Sequence, residues 1–254
     1  MQNDALQNLN ILVTRPFTTS TLLAQKLEEY SANVGVFPCI QIEPLNINHQ
    51  LEKIQSDVSC IFISKNAVRF STNNSICRQK LKQVENLYAI GDATAKYLES
   101  KINNLVIFPK HPCSEALLEL AELSCVKDQK FIIFRGGKGR ELIKETLEAK
   151  GAEVTYIDCY QRIAPKALQF PEIEAKLRQE QHYDMIVFSS FGALKNAWEL
   201  LPDPTCLLNT VITVTNERMM RWAKDKGFAN MILLKSVKND DIVKEILEFY
   251  KRVR

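Results

Sequence analysis

The chain has 254 residues, which suits two small domains, each long enough to bury its own core. Hydrophobic residues make up 46% and charged residues 25%, the balance of an ordinary globular protein. A net charge of +3 is too small for the concentrated basic face of a nucleic-acid binder, but it leaves room for an anionic ligand where cations face a site. Short continuous apolar runs then alternate with amphipathic stretches. Strands are expected at 9–14, 34–37, 58–63, 87–90, 105–108, 131–134, 153–157, 185–189, 211–214 and 231–234. Continuous rather than alternating apolar runs fit central strands of a parallel sheet covered on both faces. Helices fill the intervals. Ala193, Leu194, Ala197, Trp198 and Leu201 make one apolar stripe, and Ile242, Val243, Ile246, Leu247 and Tyr250 another. Gly151 and Gly227 follow helical stretches, where a left-handed cap is expected.

The chain repeats itself. One constant offset relates Arg15 to Arg135, Leu22 to Leu142, Leu23 to Ile143, Leu27 to Leu147 and Val34 to Val154. A second pair of segments, from Ile61 to Val68 and from Val187 to Leu194, also matches. The order is therefore A, B, A, B. Each A unit is followed by an extended segment with period-2 character, 38–44 and 158–165, and two such segments can pair as an antiparallel ladder. If the chain crosses on both, residues 1–37 and 167–254 form one discontinuous domain and 48–155 an inserted one. Residues 38–47 and 156–166 are then the connecting strands. Two consecutive domains split near residue 125 are the simpler alternative. Duplicated units suggest two lobes with a ligand cleft.

Seven cysteines, with no Cys-x-x-Cys pair and no signal peptide, read as reduced buried thiols of a cytoplasmic protein. His49, His111 and His182 lie far apart, and the pair His111 and Cys113 is too sparse for a zinc site. No apolar run is long enough to span a bilayer.

Ligands of open parallel sheets bind beyond the carboxyl ends of the strands. The turns there are Thr14-Arg15-Pro16, Ser64-Lys65-Asn66, Gly91-Asp92-Ala93-Thr94, the run Arg135 to Arg140, Ser189-Ser190-Phe191-Gly192 and Thr215-Asn216-Glu217-Arg218. Small, hydroxyl-bearing and basic residues dominate them, as suits anions held at helix N-termini. Ser64, Thr94, Ser114 and Ser190 also read as helix N-caps. The Arg135 to Arg140 run, which includes Gly136, Gly137 and Lys138, lacks the closing hydroxyl residue of a phosphate loop. It reads better as a turn whose backbone amides approach a carboxylate. Arg15 and Arg135 read as carboxylate clamps, with packing at the core edge as the other reading. No Ser/His/Asp set, carboxylate pair or metal cluster stands out, which points to chemistry done by holding a reactive substrate in shape. Tyr160 is the strongest candidate for acid–base work, with simple strand packing as the other reading.

These segments, in this order, resemble the uroporphyrinogen-III synthase family over nearly the whole chain. The residues that carry the likeness are Leu12-Val13-Thr14-Arg15-Pro16, Phe62 to Val68, Ala89 to Ala95, Ser114 to Leu118, Arg135-Gly136-Gly137, Gly151 to Val154, Tyr160-Gln161-Arg162 and Phe188-Ser189-Ser190. The resemblance implies an α/β fold of two Rossmann- or flavodoxin-like parallel-sheet domains joined by a two-stranded antiparallel ladder. It implies cyclisation of hydroxymethylbilane, a linear tetrapyrrole, with inversion of the last ring, loss of water and no cofactor. It further implies a monomer without nucleic-acid or membrane partners. Ser64, Asn66, Ala67, Gly91, Thr94, Ser114, Gly136, Gly137, Ser189 and Ser190 would hold the acid arms, Arg15 and Arg135 would add charge, and Tyr160 would assist departure of the hydroxyl. The turn from Thr215 to Met219 departs from the family's Gly-Pro-x-Thr-Ala pattern, with Arg218 at the usual threonine position. Two other readings are a non-enzymatic two-lobe binding protein for a small anion and a flavodoxin-like nucleotide-binding regulator.

Overall fold

The structure, a computed structural model, describes residues 4–137, 139–165 and 183–253. Lys138, His182 and the expected domain boundary at 166–167 lie outside the described residues. In chain order the first stretch forms β1 (Asn10–Val13), α1 (Phe17–Glu28), β2 (Asn33–Val36) and β3 (Gln41–Pro44). The middle stretch adds β4 (Val58–Phe62), α2 (Lys65–Thr72), α3 (Ser75–Leu81), β5 (Asn86–Ala89), α4 (Asp92–Ile102), α5 (Ser114–Leu118), β6 (Lys130–Arg135), α6 (Leu142–Ala149), β7 (Glu153–Asp158) and β8 (Tyr160–Ile163). The last stretch forms β9 (Met185–Val187), α7 (Phe191–Leu200), β10 (Val211–Val214), α8 (Glu217–Lys226), β11 (Met231–Leu233) and α9 (Asn239–Val253).

The chain divides into two compact units, Met1–Gln41 with Ile163–Arg254, and Ile42–Arg162. The first holds a parallel sheet in the order β11-β10-β9-β1-β2, and the second a parallel sheet in the order β5-β4-β6-β7. β3 and β8 form the small antiparallel ladder. The repeat is visible in this topology. In each sheet the first strand of the A unit lies between the following strand and a B strand, since β1 pairs with β2 and β9 while β6 pairs with β7 and β4.

The continuous apolar runs have the cause read from sequence. β4 is buried along its whole length because both sheet faces are covered, whereas the edge strands β2 and β11 are only partly buried. Val68, Leu98 and Ile102 pack from α2 and α4 on one face of the second sheet, and Ile143 and Leu147 of α6 belong to a separate core cluster with Phe131, Ile133 and Val154. In the first unit Ile242, Val243, Ile246 and Tyr250 of α9 cover Ile11, Val13, Met185 and Val187. Gly227, at φ 99°, caps α8 in the left-handed region, and Gly151, at φ 87°, does so just past α6.

Two of the expected strands need correction. Residues 105–108 form no strand: Ile107 alone bridges to Tyr88, and Leu105 is 85% exposed. Ile107 makes two backbone bonds to β5, and the flanking left-handed Asn103 and Pro109 keep the ladder from growing. The strand expected at 185–189 stops at Val187, after which Thr14 N–H and its hydroxyl bond the Val187 carbonyl. Cys39, Cys60, Cys77 and Cys159 are buried free thiols, and burial pushes Cys77 and Cys159 up to about 12, which leaves them unreactive. Cys113 and Cys125 are exposed. No described helix is long and apolar enough to cross a membrane.

Candidate active site

β4, β6 and β7 are parallel neighbours, so the turns after them share one edge of the second unit. A cavity of about 120 Å³ opens there, lined by Ser64, Arg135, Gly136, Gly137, Tyr156, Tyr160 and Arg162 among others. Ser64 ends the strand segment in an extended conformation, and its Oγ accepts the Ala67 N–H at 3.1 Å, capping α2. Tyr160 begins β8 and is only 2% exposed. Its ring centroid lies 5.7 Å from that of Phe70, and its other flank lies against the backbone of Gly136. A Cβ on Gly136 would stand 2.1 Å from Tyr160 Cζ, so only glycine lets the ring lie there. The Tyr160 hydroxyl is 3.1 Å from Ser64 Oγ, and Arg162 Nη2 donates to it at 3.3 Å.

Arg135 is committed to its own chain. Its Nε donates to Asp158 Oδ1 and its Nη1 to Glu141 Oε1, both at 2.9 Å, and its Cζ sits 3.4 Å over the Tyr156 ring. Tyr156 closes the cluster by donating its hydroxyl to Glu141 Oε2 at 2.7 Å. Burial opposes the charge on Arg135, yet its carboxylate partners outweigh this and raise its pKa. The Tyr156 hydroxyl, then Arg135, hold the Glu141 carboxyl below its usual range. Burial, then Glu141, pushes the Tyr156 phenol up. The guanidinium that read as a substrate clamp thus braces the turn beneath Gly136.

The other candidates of this unit lie on the same strand-end side. Asn66 is half-buried in the first turn of α2, and Ala67 is buried, with its N–H used by Ser64. Gly91 caps α4, and a Cβ there would meet Pro112 at 2.5 Å. Thr94 is no cap: the Gly91 carbonyl already accepts the Thr94 and Ala95 N–H groups, so α4 begins earlier and Thr94 is buried inside it. Ser114 is no cap either, because α5 begins on it and Cys113 Sγ accepts the Ala116 N–H.

In the first unit, β10, β9 and β1 are neighbours, and their ends bring Arg15, Ser189, Ser190 and the turn from Thr215 to one edge. Ser190 Oγ caps α7 by accepting the Ala193 N–H at 3.2 Å, and Ser189 beside it is half-buried. Arg15 donates through Nη1 to Asn239 Oδ1 at 2.7 Å. Burial lowers the Arg15 pKa, and among the described residues no carboxylate lies within ion-pair distance of it. Asn216, not Arg218, caps α8, and the Arg218 guanidinium lies 4.8 Å over the Phe191 ring. Among the described residues no three His, Cys, Asp or Glu side chains converge as a metal site.

Arg162, Tyr156, Asp158 and Glu141 are contributors to this geometry that had no assigned role in the sequence reading. One signal was available: Tyr160 and Arg162, like Tyr156 and Asp158, alternate along one strand and so share a face.

Two parallel α/β units, each with small, hydroxyl-bearing and basic residues at its strand ends, define a doubly wound α/β protein. The model of the family described as uroporphyrinogen-III synthase HemD matches residues 22–244, and the chain belongs to that family. The uroporphyrinogen-III synthase of Escherichia coli (strain K12) is 29% identical over 251 residues, covering 94% of this chain and 100% of that protein. That of Chlorobaculum parvum is 24% identical over 195 residues, covering 75% and 78%. Among solved structures, the uroporphyrinogen-III synthetase of Helicobacter pylori 26695 gives a TM-score of 0.65 at 14% identity, covering 97% of this chain and 100% of that one. A mutant uroporphyrinogen III synthase of the extremely thermophilic bacterium Thermus thermophilus gives 0.59 at 13% identity, with the same coverage. These two likenesses speak to the fold.

Proposed function

We propose that the chain is a uroporphyrinogen-III synthase of haem biosynthesis: it closes hydroxymethylbilane into uroporphyrinogen III with inversion of ring D and loss of one water. Membership of the family supports the reaction class. The single observation that carries the site is the Tyr160 hydroxyl, held between Ser64 and Arg162 in the lining of a cavity.

In this reading Tyr160 gives its proton to the terminal hydroxyl of the substrate as the C–O bond breaks. Water leaves, and the chain end becomes an azafulvene cation. The far pyrrole ring attacks through its substituted carbon to form a spiro intermediate, which reopens and recloses with that ring inverted. The proton lost as the last ring regains aromaticity restores the phenol, so the balance is one substrate to one product and one water. Tetrapyrroles are far larger than a cavity of about 120 Å³, so that cavity takes one ring or one acid arm, at the reacting end. The acid arms are held by the turns at Ser64, Asn66, Gly91, Thr94, Ser114, Gly136, Gly137, Ser189 and Ser190, with Arg15 supplying charge, whereas the Ala67 N–H is already taken by Ser64. The enzyme works as a cytoplasmic monomer, and its share of the rate enhancement comes from holding two ends of one molecule together.

Incubation with freshly made hydroxymethylbilane, followed by separation of the type I and type III isomers, tests the reading. Type III product formed in proportion to protein is expected. Type I product alone, at the rate of the protein-free reaction, rejects it.

A further inference from the structure

We infer that Arg162 is a positioning residue for the reaction: its guanidinium and the Ser64 hydroxyl both donate to the Tyr160 phenol oxygen, so that the phenol's own proton faces the cavity. This rests on the proposed synthase reading and on Tyr160 as the proton donor. The two residues reach each other because β8 is extended, which places positions 160 and 162 on the same face. Arg162 Nη2 is 3.3 Å from the phenol oxygen, and its Cζ is 5.5 Å from the ring centroid, so the guanidinium is engaged at the hydroxyl end. An arginine is only a donor, so its presence fixes the phenol oxygen as acceptor in that bond.

Ser64 sets the second bond. Its Oγ already accepts the Ala67 N–H at the start of α2, and its own hydrogen is free to turn towards Tyr160, 3.1 Å away. With both donors in place, the phenol hydrogen has neither Ser64 nor Arg162 to bond and points into the space those residues line. As that proton leaves, both donors remain on the oxygen and stabilise the negative charge that develops there. The ring itself cannot swing away, because Gly136 and Phe70 flank it. Among the described residues no carboxylate forms an ion pair with Arg162, so its charge is not spent on the protein's own acids.

The experiment is a double-mutant cycle with hydroxymethylbilane, measuring kcat and KM for the wild type, Arg162→Gln, Arg162→Lys, Tyr160→Phe and Tyr160→Phe with Arg162→Gln. Thermal melting of each variant checks that the fold is intact. Arg162→Gln is expected to lower kcat about tenfold with KM within twofold, and Arg162→Lys to recover part of the loss. In the Tyr160→Phe background Arg162→Gln is expected to change kcat no further, because the oxygen it served is gone. Three outcomes overturn the inference: unchanged kcat in Arg162→Gln, a raised KM with intact kcat, or the same loss with and without the Tyr160 hydroxyl. The second of these identifies Arg162 as a contact to a substrate carboxylate instead. A wild-type protein that yields only type I product rejects the synthase reading, and this inference with it, whereas type III product from the wild type leaves the Arg162 variants as the only point at issue.

Discussion

Gly136→Ala is the sharpest test of how the turn after β6 holds the tyrosine. The new methyl group would lie 2.1, 2.2 and 2.6 Å from Cζ, Cε2 and Cε1 of Tyr160. Carbon atoms sit comfortably at about 3.5–4.0 Å, so ring and backbone must separate by about 1.5 Å. The ring has little room to yield, being 2% exposed, flanked by Phe70 and bonded through its hydroxyl to Ser64 and Arg162. Overpacking of this kind typically costs about 1–3 kcal/mol of stability. The functional loss is larger, since displacing a reacting group by about 1 Å costs on the order of a hundredfold in rate. Denaturant unfolding and hydroxymethylbilane turnover, read on the same preparation, give both numbers. Gly139→Ala serves as the stability control, because no atom lies within 4 Å of its added Cβ. Full turnover in Gly136→Ala, at wild-type stability, would refute the view that this glycine exists to seat Tyr160.

Tyr160→Phe keeps the ring and removes the hydroxyl, so kcat is expected to fall about a hundredfold with KM little changed; unaltered kcat assigns the residue to packing. Arg15→Ala is expected to raise KM and flatten its dependence on salt, read by steady-state kinetics from low to high ionic strength. Arg135→Ala is expected instead to cost stability, about 1–3 kcal/mol by denaturant unfolding, because Asp158 and Glu141 lose their partner. Glu141 contributes a pH dependence with a defined sign. Its folded-state pKa is depressed, so its stabilisation is complete above about pH 4.3, the unfolded value, and is lost as pH falls through the lower folded value. The stability gap between wild type and Glu141→Gln is therefore expected to close on acidification, and a gap that widens contradicts the cluster.

Much of the fold was legible because parallel sheets leave a strong mark. Continuous apolar strands such as β4 and the stripe of α9 follow from burial on both faces of a sheet and one face of a helix. Residues 105–108 failed for the same reason that β4 succeeded: apolar content does not report whether a partner strand stands alongside, and Leu105 faces out. The caps divided similarly. Ser64 and Ser190 stand directly after a strand end, where a helix must start. Thr94 was misplaced by three residues and Ser114 by one, because Gly91 and Cys113 cap those helices: Gly91 competes with a nearby threonine as a cap, and cysteine is not among the common capping residues. The bond from Arg162 to Tyr160 needed the strand assignment of β8 before the alternation of its side chains could be used.

The duplication explains why the two repeated arginines do different work. Arg15 and Arg135 occupy equivalent positions in the sequence repeat, Arg15 two residues past the end of β1 and Arg135 as the last residue of β6. At the same offset, Asp158 corresponds to Pro38, Tyr156 to Val36 and Glu141 to Thr21. The second copy therefore carries two acids and an aromatic ring around its arginine, with Arg135 directly opposite Asp158 in the β6–β7 register. The first copy carries none of them. Its arginine is held by the neutral oxygen of Asn239, and among the described residues no carboxylate compensates its charge, in a setting where burial already disfavours it. On the proposed reading, a carboxylate from outside the chain would be paired by Arg15 rather than by Arg135, whose charge Asp158 and Glu141 already meet. The glycine that follows Arg135, against the proline that follows Arg15, makes the complementary trade: the second copy gives up a side chain beside its arginine and gains a seat for Tyr160.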